Sequence, residues 1–257
     1  MIHRSEPYAR ATAGLLNAWR MVGAASPAGQ VRELPGGLIA SMGTPSPITN
    51  RAFVIDDQAD ADQVIGSIVE FYRGRDLPFT LQIHEHLPVG FRDAATAAGL
   101  KESERIPMMA LTPIAGTLRT ASPDLEIRAA ATEEELAWAA DVGVRGFGSE
   151  DARAFATPAI ARAGAHYFVG LVAGRPVGTS MVVPDARAAG IYGVATDPGF
   201  RRRGIGETLT ATAVLHGSDQ GCDLAYLESS EAGFRVYERI GFVTVGWSIA
   251  FVKKALS

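Results

Sequence analysis

Apolar positions along the second half of the chain follow two periods. In "GIGETLTATAVLHGSDQG", Ile205, Leu209 and Ala213 recur at i, i+4 and i+8, which predicts one buried face of a helix. "TEEELAWAADVGVRGF" predicts a second helix, with Thr132 as its cap and three glutamates in its first turn. "LEIRAA", "AAGIYGVATD" and "CDLAYLES" read as strands, the second stopped by Pro198. "AHYFVGLVAGRPVGTSMVVP" reads as two strands joined by a turn at Ala173-Gly174-Arg175. "SEAGFRVYERIGF" predicts a helix with Ser230 near its start and Gly241 at its end, and "GWSIAFVKKAL" a closing strand. Strands and helices thus alternate around a mixed sheet, an α/β (α+β) arrangement.

The first half repeats this closing order. "RAFVIDD" is a strand, "ADQVIGSIVEFYRGR" a helix and "PFTLQIHE" a strand; "VGFRDAATAAGL" is a helix ending at Gly99 and "ERIPMMALT" a strand. Setting "AAGL" over "RIGF" brings the flanking elements into register, as an internal duplication would. Between the halves, "TPIAGTLRTASPD" has the composition of a linker. The expected organisation is one domain over 1–111, a linker over 112–124 and a second domain over 125–257.

Composition narrows the class. A chain of 257 residues with 47% hydrophobic and 20% charged residues has ample material for a core. A formal net charge of −4 argues against a general nucleic-acid binder. The single cysteine, Cys222, excludes an internal disulfide and fits a reducing cytoplasm. No apolar run approaches the roughly 20 residues needed to span a bilayer, and "MIHRSEPYAR" does not open a signal peptide. The expectation is a soluble cytoplasmic protein with no membrane partner.

One stretch carries chemistry. In "TDPGFRRRGIG" a strand runs into Pro198, a basic loop follows, and a helix opens at Gly204-Ile205-Gly206. The first turn of a helix has unpaired N–H groups and the positive end of the dipole, so it attracts anions. Glycines remove side chains that would block close approach, and arginine adds charge-assisted hydrogen bonds to phosphate oxygens. A solvated arginine patch beside two turn glycines is the plainer alternative.

Context favours the phosphate pocket. Arg201-x-x-Gly204-x-Gly206, between a strand and a helix, resembles the coenzyme A pyrophosphate loop of the GNAT superfamily of acyl-CoA-dependent N-acyltransferases. "VYERIGF", about 35 residues on, matches the aromatic-containing helix and Gly-Phe that close that family's domain. The resemblance covers roughly 125–257 and implies two GNAT-like halves, each a mixed, mostly antiparallel sheet flanked by helices, with the N-terminal half degenerate. It implies acetyl transfer from acetyl-CoA to a small-molecule or peptide amine by direct attack on the thioester. An acyl-CoA-binding module without turnover is the rival.

The resemblance also assigns residues. Arg201, Arg202, Arg203, Gly204, Ile205 and Gly206 would hold the pyrophosphate. Backbone groups of Val194, Ala195 and Thr196 would pair with pantetheine, an N–H near Val194 polarising the thioester carbonyl. Tyr237 occupies the family's usual acid position. The family's Asn and Ala, seven and four residues before that tyrosine, are here Ser230 and Gly233. A serine hydroxyl still caps the helix and bonds pantetheine. Glu228 is a candidate base, or simply a strand-end carboxylate; Glu150 and Asp151 are candidates to attract a cationic amine. His166, just before a strand, reads as structural.

In the first half Ala95 falls opposite Tyr237, and "DDQADADQ" replaces the expected phosphate loop. Its Asp56, Asp57, Asp60 and Asp62 would repel a pyrophosphate. That half is expected to pack, wall the acceptor site or form a homodimer surface. His84 and His86 share a strand face, but no third metal ligand stands nearby in sequence. No metal is expected.

Overall fold

The structure is a computed structural model and describes residues 5–114, 122 and 124–253. Helix α1 (Glu6–Ala25) is followed by β1 (Gln30–Leu34), β2 (Gly37–Ser41), β3 (Asn50–Val54), α2 (Ala61–Arg73), β4 (Phe79–His84), α3 (Gly90–Ala97) and β5 (Lys101–Leu111). Then come β6 (Glu126–Ala129), α4 (Glu133–Phe147), α5 (Pro158–Arg162), β7 (His166–Val172), β8 (Arg175–Asp185) and β9 (Ala188–Thr196). The chain closes with α6 (Ile205–Asp219), β10 (Leu224–Glu228), α7 (Glu231–Ile240) and β11 (Val243–Lys253). Among the described residues no helix is long and apolar enough to cross a membrane.

The chain divides into two compact units that do not follow a linear split. The described residues of the first are 19–107 and 246–253; those of the second are 5–18, 108–114, 122 and 124–245. Most of the linker expected over 112–124 lies outside the described residues. The end of β5 therefore belongs to the second unit, and most of β11 to the first.

In the first unit the strand order is β1-β2-β3-β4-β11. All neighbours are antiparallel except β3 and β4, which run parallel from Arg51↔Thr80 to Phe53↔Gln82. Helix α2 forms because Asp60 caps it, accepting the Gln63 N–H, and because Val64, Ile65, Ile68, Phe71 and Tyr72 line one face. These side chains meet Ile39, Leu81, Phe91 and Phe251 in one core. Each fully buried aliphatic or aromatic group there contributes about 1.5–3 kcal/mol. The loop before α2 satisfies its own polar groups, since Asp56 also accepts the Gln58 N–H.

In the second unit the order is β5-β10-β9-β8-β7-β6. Only β9 and β10 are parallel. The strands of each unit are thus mixed and mostly antiparallel, as expected. Helix α4 opens with a full capping box between Thr132 and Glu135. The backbone N–H groups of Ala131 and Thr132 hold the Glu135 carboxyl below the usual carboxylate range. Helix α6 buries Ile205, Leu209, Ala213 and Val214 against Ala189, Ile191, Ala225 and Leu227. Those four strand positions alternate, so Gly190, Tyr192, Tyr226 and Glu228 take the opposite face.

Candidate active site

Strands β9 and β10 part company. Their parallel pairing covers Ala188↔Leu224, Ala189↔Ala225 and Gly190↔Tyr226. Beyond that point β9 continues to Thr196 beside β8, while Leu227 and Glu228 pair with Met109 and Met108 of β5. Backbone groups of β9 thus run along a gap. Between Tyr192 and Ala195, β9 carries one residue more than β8 opposite, a bulge that includes Gly193 at φ +58°. A Cβ at 193 would meet no atom within 4 Å, so the dihedral and not crowding favours glycine there. The bulge re-aims the backbone at Val194.

At the end of β9 the loop is held by Asp197. This buried carboxylate accepts the Gly199 N–H at 3.1 Å, Arg145 Nε at 2.9 Å and Arg175 Nη2 at 3.2 Å. Burial pushes its pKa up, but those hydrogen bonds and positive charges prevail and hold it below the usual value. The three arginines then diverge in role. Arg201 donates to the Gly146 carbonyl of α4 at 2.7 Å, Arg202 takes a left-handed backbone (φ +62°), and the Arg203 guanidinium lies 5.0 Å from the Phe200 ring centroid. Sequence reading grouped all three as phosphate ligands; the side chain of Arg201 is tied to α4.

Gly204 caps α6 at φ +77° and offers no side-chain hydrogen bond. The N–H groups of Ile205, Gly206 and Glu207 therefore have no intrahelical acceptor and no capping oxygen from residue 204. A Cβ on Gly206 would stand 3.7 Å from Thr196 Oγ1 and 3.9 Å from Val194 Cγ1, ordinary contact distances. Crowding within the protein does not explain that glycine.

Ser230 caps α7, accepting the Gly233 N–H at 3.3 Å. Tyr237 packs its ring toward Phe242, centroids 6.1 Å apart, and burial pushes its pKa up to about 12. The ring also folds back along its own helix. A Cβ at Gly233 would lie 2.8 Å from Tyr237 Cε2, so the family's alanine there would displace the ring. Glu228 stands two residues before Ser230, at the mouth of the gap.

Sequence reasoning did not reach three features here. Tyr192 and Tyr226 join their hydroxyls at 2.7 Å, over Gly190 and under Gly14 of α1. Burial raises both pKa values, and the negative charge of Glu228 adds to the shift in each. Asp197 and Arg145 are the second and third. An Asp-Pro-Gly turn was the signal for Asp197, whereas nothing near Arg145 in sequence announces its partner.

The remaining candidates are engaged elsewhere. Glu150 pairs with Arg153 at 3.3 Å, and Asp151 with Ser149. The ring of His166 lies 4.5 Å from that of His216, and burial, then the charge of His216, lower its pKa. His84 and His86 stack at 5.7 Å. Among the described residues no three His, Cys, Asp or Glu side chains gather as a metal site.

Residues 130–242 match the family model described as the Acetyltransferase (GNAT) family. No curated protein matches the chain. Among solved structures, a GCN5-related N-acetyltransferase from Kribbella flavida is similar at 19% identity and TM-score 0.73, over 95% of both chains. A GCN5-related N-acetyltransferase from Sphaerobacter thermophilus is similar at 14% identity and TM-score 0.62, over 86% of this chain and 78% of that one. A tandem GNAT protein from the clavulanic acid biosynthesis pathway covers 97% of this chain and 96% of its own, at 13% identity and TM-score 0.57. These likenesses speak to the fold alone, and the match to the Acetyltransferase (GNAT) family model is confined to residues 130–242, less than half of the chain.

Proposed function

We propose that the protein transfers an acetyl group from acetyl-CoA to an amine. The observation that carries this reading is the open N-terminus of α6, entered through Gly204 behind a basic loop at the mouth of the β9–β10 gap. The coenzyme supplies an activated thioester. The N–H groups of Ile205, Gly206 and Glu207 bind its pyrophosphate, with Arg202 and Arg203 lending charge. Backbone groups of Val194, Ala195 and Thr196 bond its pantetheine amides along the gap, and Ser230 closes the other side.

The bulge at Gly193 turns the Val194 N–H toward the thioester carbonyl, where it stabilises the oxyanion that develops during attack. Glu228, on the face opposite α6, takes the proton of the incoming amine directly or through water. Tyr237 returns a proton to the departing thiolate. Its pKa of about 12 keeps it protonated at neutral pH, which an acid requires.

Calorimetric titration with acetyl-CoA tests the reading. One saturable site in the wild type, abolished in Gly204→Glu, is expected. That substitution puts a carboxylate on the phosphate site and a side chain on a φ of +77°. A folded wild-type protein, free of co-purified coenzyme, that takes up no acetyl-CoA refutes it. A bound complex then justifies following free thiol release across a panel of primary amines.

A further inference from the structure

The gap between β9 and β10 has a closed end, and two tyrosines bridge it. Gly190↔Tyr226 is the last backbone pair of the two strands, so within the sheet the gap stops there. On the α6 face, Ile191 and Val194 pack with Ile205 and Leu209. On the opposite face the hydroxyls of Tyr192 and Tyr226 meet at 2.7 Å, their ring planes 85° apart and their centroids 6.1 Å apart. The side chains thus join the strands where the backbones part.

Two glycines make room for this bridge. A Cβ at Gly190 would lie 2.5 Å from both Tyr192 Cε2 and Tyr226 Oη, and one at Gly14 would lie 2.7 Å from Tyr226 Oη. A larger residue at either position would push the hydroxyls apart. Tyr226 is 1% exposed, whereas Tyr192 keeps part of its ring accessible. Burial raises both pKa values, so the bond joins two neutral hydroxyls at neutral pH. Forcing them apart would leave buried polar groups unpaired, which is costly.

In the coenzyme reading above, on which this inference rests, the bound groups run backwards along β9. The pyrophosphate meets Ile205, Gly206 and Glu207, the pantetheine amides meet Thr196 to Val194, and the thioester carbonyl meets the Val194 N–H. The next side chain in that direction on the face opposite α6 is Tyr192. We propose that the Tyr192–Tyr226 bridge is the end wall of the acyl site and restricts the protein to short acyl groups. A longer chain has to displace the bridge, because the sheet closes the end of the gap and α6 fills the other face.

Titration calorimetry on the full chain with CoA, acetyl-CoA, butyryl-CoA and octanoyl-CoA tests this. Wild type is compared with Tyr192→Ala and with Tyr192→Val, which keeps a strand-forming residue; thermal melts confirm that each is folded. In the wild type, octanoyl-CoA is expected to bind roughly 10- to 100-fold more weakly than acetyl-CoA, the range for leaving buried hydroxyls unpaired, with butyryl-CoA between them. In the variants that discrimination is expected to vanish. Variants whose affinity ratios stay at wild-type values overturn the proposal, whatever their absolute affinities, since the pair would then only pack. A wild type that binds CoA and all three acyl forms alike sinks this inference and leaves the coenzyme reading standing. One that binds none of the four sinks both.

Discussion

The segments β3–α2–β4–α3 and β9–α6–β10–α7 share a layout: a strand, a helix, a strand parallel to the first, and a shorter helix. They differ in how the first helix begins. Asp60 spends its carboxylate on the N-terminus of α2, accepting the Gln63 N–H at 2.9 Å. Gly204 accepts the Thr208 N–H through its carbonyl but has no side chain to offer, so the N–H groups of Ile205, Gly206 and Glu207 get no capping oxygen from it. One helix end is capped by a side chain of its own chain and the other is not. The second helices differ as well: Tyr237 of α7 is matched, in the register that sets Gly99 over Gly241, by the buried Ala95 of α3. The same layout carries a capped helix and a buried alanine in one place, and an uncapped helix and a tyrosine in the other.

The sharpest way to break the comparison is to make the second segment resemble the first at its acid. Tyr237→Phe should cost about 100-fold in turnover at neutral pH while the acetyl-CoA Kd stays nearly unchanged. Because the tyrosine loses its proton only near pH 12, its wild-type contribution should persist up to about pH 10 and fall only as the pH nears 12. Equal turnover in the variant would favour a binding module, or a different acid.

A smaller effect is expected below the gap. Gly190→Ala would bring a Cβ to 2.5 Å from both Tyr192 Cε2 and Tyr226 Oη. Overpacking of this kind costs about 1–3 kcal/mol, read as a lower urea midpoint at constant m. A midpoint equal to wild type would mean the tyrosine pair is not rigidly seated.

The smallest concerns the closed helix end. Asp60→Ala should cost about 1 kcal/mol of stability through the lost cap and leave acetyl-CoA binding untouched. Appearance of a second coenzyme site in that variant would show that the cap alone separates the two segments.

Much of the second unit was legible because its signals are local. Thr132 with Glu135, the apolar stripe of α6, and the glycine at 204 act within a few residues of one another. The first unit was less open. Helix α1 and strands β1 and β2 went unread, since an alanine-rich helix and short strands carry weak periodicity. Within the site, the roles of the arginines were only half readable. Composition marked 201–203 as basic, but only the approach of α4 shows that Arg201 is bound to Gly146.

By itself the sequence determined the elements from β3 onward other than the short α5, the basic glycine-bearing loop before α6 and the placement of Tyr237 on a capped helix. Each depends on neighbours along the chain. The tertiary structure alone decided the rest. β11 pairs with β4 in the first unit while the end of β5 pairs with β10 in the second. The bulge at Gly193 appears only against β8, and the Tyr192–Tyr226 hydroxyl pair only once two parallel strands meet. A strand's period states which face is buried and says nothing about which strand lies beside it. Pairing is won by contacts far apart in sequence, and the gap where the chemistry is proposed exists only where such pairing stops.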